Sequence, residues 1–212
     1  MKRTQAFNTQ TVQLFGPMSR GIAIPQLIQQ YGSATAQIQS SIMTGAPALT
    51  RPELYLYGDL KRANDLFKLY GYSVRFYNDC VRNPNRHQWC MPTVAANQAA
   101  TCIGSLNFPG SYRSFDDLYN DIAKQIGTIA GIGQCAIYDA ALRIGHTMKL
   151  EPDDYVYIHD GLRKCAEKII GQPISKNTYK IPRSAFDNAY PGFKSMPSKE
   201  IEDFICIYKA VI

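Results

Sequence analysis

The chain is 212 residues long, yet it contains no apolar run approaching the roughly 18 residues needed to cross a bilayer as a helix. Its first residues, Met1-Lys2-Arg3-Thr4-Gln5-Ala6-Phe7-Asn8, turn polar where a secretory leader would need its apolar stretch. A cytoplasmic protein that spans no membrane is therefore expected. Internal repeats and low-complexity tracts are missing, and strand-like alternation is scarce. Only Tyr72 to Phe76 and Tyr155 to Ile158 suggest short extended pieces. Charged residues make up only 19% of the chain, against 45% hydrophobic, a balance that excludes a disordered polyelectrolyte and suits one or two packed cores.

Metal and thiol chemistry are equally thin. Cysteines stand at 80, 90, 102, 135, 165 and 206, an irregular spacing that reads as reduced and mostly buried thiols rather than as a disulfide framework. Cys80, His87, Cys90 and Cys102 are ligand types that zinc favours, but their gaps match no compact knuckle, so no metal and no cofactor are expected. Cys90 with His87 as base lacks any activating signature for nucleophilic catalysis.

What is present is a mainly helical pattern and an uneven charge. The formal net charge is +6. Residues 1–113 carry 11 Lys/Arg against 4 Asp/Glu, residues 114–170 carry 6 against 9, and residues 171–212 carry 6 against 4. The basic half would attract polyanions whatever their sequence. We expect a multi-helix bundle with irregular connecting segments: a polar arm at 1–50, a basic helical lobe at 51–110 and a helical lobe at 111–212, with 51–212 compact. The boundary falls at Asn107-Phe108-Pro109-Gly110-Ser111.

Along the chain, Pro25 opens a helix through Leu27, Ile28, Tyr31, Ile38 and Ile42, only weakly core-forming. Residues Pro52 to Arg82 place Leu54, Leu56, Leu60, Leu66, Phe67, Leu69 and Tyr70 around Lys61, Arg62 and Lys68, and a short helix runs from Pro92 to Cys102. Ser114 with Asp117 resembles a capping box that starts a helix bearing Phe115, Leu118, Ile122 and Ile126 on one face. A second helix follows through Tyr138, Ala141, Leu142 and Met148, another spans Gly161 to Ile170, and Ser198 is expected to cap the last, with Ile201, Phe204, Ile205 and Tyr208 inward. Pro173, Pro182, Pro191 and Pro197 mark Gln172 to Pro197 as an irregular covering strap.

The candidate site lies between the two central helices. In Ile126-Gly127-Thr128-Ile129-Ala130-Gly131-Ile132-Gly133, apolar residues stand five and two positions before a Gly-hydrophobic-Gly turn. This resembles the helix-hairpin-helix DNA-binding motif. The resemblance implies that Gly131 and Gly133 let the backbone approach a phosphate, that Ile132 plugs the helices, and that Gln134 opens a helix whose N-terminal N–H groups and dipole favour an anion. Such a turn grips phosphate without reading bases. Two positions depart from the pattern: Ala130 replaces the usual proline, and Ile137 replaces the usual small residue, which shifts the small face to Ala136 and Ala140. Asp139 is expected to face solvent or pair with Arg143, four residues on.

The stretch 114–170 is also similar to helix-hairpin-helix DNA glycosylases, which carry a catalytic aspartate after the motif. Pro152 and then Asp160 stand in the corresponding order, though the spacing from Gly131 is longer than in that family. The resemblance implies that Asp160 would stabilise an oxocarbenium ion or activate water. The lyase lysine position is Cys135, so such an enzyme would be monofunctional. Residues Gly131 to Lys164 further resemble a segment of uncharacterised bacterial proteins in which the Asp160 position need not be acidic. As a residue, Asp160 equally suits a helix N-cap.

Arg82, Arg86, His87 and Gln88, set among the turn formers of Arg82 to Trp89, are expected to add backbone contacts. The sequence thus favours non-sequence-specific binding of DNA or structured RNA. The alternatives are a monofunctional base-excision glycosylase using Asp160 and a non-catalytic structural or protein-interaction module.

Overall fold

A computed structural model describes residues 20–44, 92–105 and 112–212. The expected helices of Pro52 to Arg82, the extended piece at Tyr72 to Phe76, the loop Arg82 to Trp89 and the boundary at Asn107 to Ser111 lie outside the described residues. Within them the chain is mainly α-helical. Helices α1 (Ile24–Thr44), α2 (Thr93–Ser105), α3 (Phe115–Ile126) and α4 (Gln134–Thr147) are followed by strand β1 (Tyr155–Tyr157) and helix α5 (Asp160–Ile170). Strand β2 (Lys180–Pro182), helix α6 (Arg183–Ala189), a 3-10 turn (Pro191–Ser195) and helix α7 (Ser198–Tyr208) complete the order. The described residues divide into two compact units, one made of 92–105 with 112–152 and the other of 20–44 with 153–212.

In the first unit, α3 starts as its sequence dictates. Ser114 Oγ accepts the Asp117 N–H at 3.1 Å, with Asp116 and Asp117 in the first turn. Phe115, Leu118, Ile122 and Ile126 are buried along one face. Helix α2 contributes Ala95, Ala99 and Ile103 at helical spacing, and α4 contributes Ala136, Ile137, Ala140, Ala141 and Ile144. Small residues let the helices approach closely. A Cβ on Gly145 would stand 2.7 Å from the Leu150 carbonyl oxygen and 3.3 Å from Leu118 and Phe115. Helix α4 ends where Lys149 takes a φ of 59° and Leu150 donates its N–H back to Gly145 O at 2.8 Å.

The second unit is built on aromatic packing. Phe204 on α7 lies 5.3 Å from Phe193 and 4.9 Å from Tyr208 between ring centroids, and Tyr31 of α1 meets it edge-on at 5.9 Å. Strands β1 and β2 pair antiparallel with Val156 opposite Ile181, and both side chains are buried. The extended piece expected at Tyr155 to Ile158 is thus a strand over Tyr155–Tyr157.

Four expectations are corrected. The segment 20–44 is not weakly core-forming. Leu27, Ile28, Tyr31 and Ala34 repeat at helical spacing and join the core of the second unit. Gln172 to Pro197 is not irregular throughout, because it holds β2, α6 and the 3-10 turn. Three of its four prolines start elements: Pro182 precedes α6, Pro191 opens the 3-10 turn and Pro197 precedes α7. Ser198 does not cap α7 either. It is the first helical residue, and its buried hydroxyl donates to the Asp153 carbonyl at 2.9 Å. Of the two expectations for Asp139, solvent exposure is the one corrected, since it is only 8% exposed; the Arg143 side chain lies outside the described residues.

Candidate functional site

The link between α3 and α4 is a succession of tight turns. Gly127 donates its N–H to Ala123 O at 2.9 Å, Ile129 to Ile126 O at 3.1 Å and Ile132 to Ile129 O at 3.0 Å. Gly131 adopts a φ of +93°, a region that glycine enters without strain and side-chain-bearing residues do not. This places Ile132 in a buried position while Gly131 and Gly133 stay exposed. Gly133 O accepts the Ile137 N–H at 3.2 Å, so Gly133 occupies the N-cap position of α4.

The surroundings of the two glycines differ. A Cβ on Gly133 would meet nothing within 4 Å, whereas one on Gly131 would lie 3.1 Å from Pro92 Cγ and 3.3 Å from Ala95 Cβ. The start of α2 therefore occupies one side of the turn, and the open side is that of Gly133. No acidic residue stands in the first turn of α4. Gln134 is held from below: the Tyr119 hydroxyl donates to its Oε1, which leaves the amide NH2 as the group Gln134 can offer outward. At the positions that depart from the motif, Ile137, Ala136 and Ala140 are all buried, so the bulky and the small residues share the packed face.

The Tyr119–Gln134 pair and the approach of Pro92 were not read from the sequence. Tyr119 lies on the face of Phe115, Ile122 and Ile126, a pattern that already turns its ring inward. Nothing local specifies where its hydroxyl ends.

Asp160 lies in the other unit, as the first residue of α5. His159 holds the N-cap position and makes no capping hydrogen bond with its side chain. The Asp160 side chain is 85% exposed and pairs with Arg163, Oδ1 to NH2 at 3.1 Å. His159 Nε2 stands 3.8 Å from Oε1 of the buried Glu202. Arg82, Arg86, His87 and Gln88 lie outside the described residues.

Cys102, Cys135, Cys165 and Cys206 are free thiols, while Cys80 and Cys90 are outside the described residues. Burial pushes the Cys165 thiol up to about 11, opposed in part by the charges of Lys168 and Lys209, which makes it a poor nucleophile. Among the described residues no three His, Cys, Asp or Glu side chains are grouped to hold a metal ion, and no helix is long and apolar enough to cross a membrane. In comparisons with known families, curated proteins and solved structures, nothing matches the chain.

Proposed function

We propose that the chain binds nucleic acid without sequence preference, taking a phosphate at the Gly131–Gly133 turn through the first N–H groups of α4. The observation that carries this reading is the open N-terminus of α4, where Gly133 is exposed with free space beside it and no carboxylate stands in the first turn. The hairpin carries little positive charge, so long-range attraction falls to the basic N-terminal half, with Arg82, Arg86, His87 and Gln88 as backbone contacts. The resemblance to the helix-hairpin-helix motif points the same way, and the partner would be DNA or structured RNA.

A second reading, a structural module in which the turn only packs helices, draws on the nearness of Pro92 and Ala95, which leave little room for a side chain at Gly131. The base-excision reading has less behind it, since Asp160 is exposed and engaged by Arg163.

Affinity for a generic duplex measured against salt separates these readings. Binding should weaken with salt, and an Arg82→Ala/Arg86→Ala variant should lower the slope by about two phosphates. Gly133→Asp is the sharper variant. Aspartate is a favoured N-cap and should leave α4 as stable or more so, yet its carboxylate would repel phosphate and weaken binding. Absence of binding at low salt, or equal affinity in Gly133→Asp, would overturn the proposal.

A further inference from the structure

Gly171, at a φ of +70°, ends α5, and the chain then runs through Gln172 to Tyr179 before entering β2. Residues 171–173 and 175–177 are exposed, yet side chains of α5 hold the segment at several points. Ile174 is buried, and its N–H donates to Glu167 Oε1 at 2.9 Å. One turn earlier on the same face, Arg163 is almost fully buried. Its NH1 donates to the carbonyls of Ser175 and, at 2.9 Å, Thr178. Its NH2 donates to the Lys176 carbonyl at 2.8 Å as well as to Asp160. The Tyr179 ring lies 5.7 Å from the guanidinium carbon.

Three carbonyl oxygens from four successive residues converge on one group. Their dipoles repel one another unless a cation sits among them, and a planar guanidinium with several donors is suited to that place. The dependence is mutual, because a buried guanidinium needs its donors satisfied. Without the cation, the Lys176 and Thr178 carbonyls would find partners most easily by swinging out to water, while the Ser175 carbonyl also accepts the Thr178 N–H at 3.0 Å.

We infer that residues 172–178 form a latched strap, mostly exposed but held in one conformation by Arg163, which opens as a local unit when that clasp is removed. Lys176 supplies the readout. A protease must draw the scissile carbonyl into its oxyanion hole, and the carbonyl of Lys176 is turned inward to Arg163. Cleavage after this exposed lysine therefore requires opening first, and its rate follows the open population.

Limited trypsin digestion of the full chain tests the inference. Cleavage after Lys176 should be at least about tenfold faster in Arg163→Met than in the wild type, with helical circular dichroism retained. Arg163→Lys should fall between, since an ammonium keeps the charge but loses the fork. Equal rates in wild type and variants would overturn the latch. Should Arg163→Met fail to fold, Arg163→Lys and the wild type carry the test. In the wild type the Ile174 and Thr178 amides, bonded to Glu167 and to the Ser175 carbonyl, should exchange at least about tenfold more slowly than in an unstructured peptide. Free-peptide exchange at both would equally overturn it.

Discussion

The two units differ in what their tightest contacts are made of. In the unit of α2, α3 and α4, the large residues of α3 pack against alanines of α2 and α4, and at Gly145 the close approach depends on the absence of a side chain. In the unit of α1, α5, α6 and α7, helices and a 3-10 turn surround large rings, and contact depends on side chains being large. The crossing at Gly145 should therefore fail when a residue is enlarged, and the ring cluster around Phe204 when one is truncated.

The largest test of this contrast is Phe204→Ala. Phe204 is fully buried and touches rings from three elements, so its loss should cost about 3–5 kcal/mol. Denaturant unfolding gives the size, and hydrogen exchange should place the loss in α7 and α1, leaving α3 protected. Loss of protection in α3 to the same degree would break the comparison.

The complementary change, Gly145→Ala, should cost about 1–3 kcal/mol, because the new methyl meets a backbone oxygen that has no rotamer with which to yield. Alanine's better helix propensity offsets about 1 kcal/mol of a larger clash. A neutral or stabilising result would show that the three-helix unit is looser than its contacts suggest.

The smallest effect is a slope with pH. Cys165 and Tyr208 both belong to the aromatic unit, and burial raises both. Between its ordinary value of 9.0 and about 11, Cys165 is protonated when folded and ionised when unfolded. The unfolded state then binds fewer protons, so stability falls as pH rises through that window, by about 1 kcal/mol per pH unit. Cys165→Ala should flatten the part of this slope that lies below pH 10. An unchanged slope there would assign the alkaline loss to other groups.

How much of this was legible follows the range of the interactions. Ser114 and Asp117 are three residues apart, and the cap they form was readable because both partners lie on one local segment. Ser198 looked like the same device, but its hydroxyl answers to Asp153, far away in sequence. Prolines 182, 191 and 197 were read as breakers because proline ends an element as readily as it begins one, and only the packing of Phe186 and Phe193 decides which. At the candidate site, the special backbone at Gly131 was readable from its neighbours. The obstruction of one side by Pro92, the burial of Asp139 and the hold of Tyr119 on Gln134 were not, because each depends on how helices meet.

Helix α1 packs against the 3-10 turn and α7, with Ile28 lying where a Cβ on Gly192 would come within 2.9 Å. More than half of the chain is translated between the two sides of that contact. At roughly 5–20 residues per second, α1 leaves the ribosome on the order of ten seconds before its partners exist. The intervening helices α2 to α4 have each other at hand as they emerge. Vectorial synthesis thus orders assembly: the unit made from one continuous stretch can close early, while the unit whose segments flank it in sequence must wait for α7 to be made.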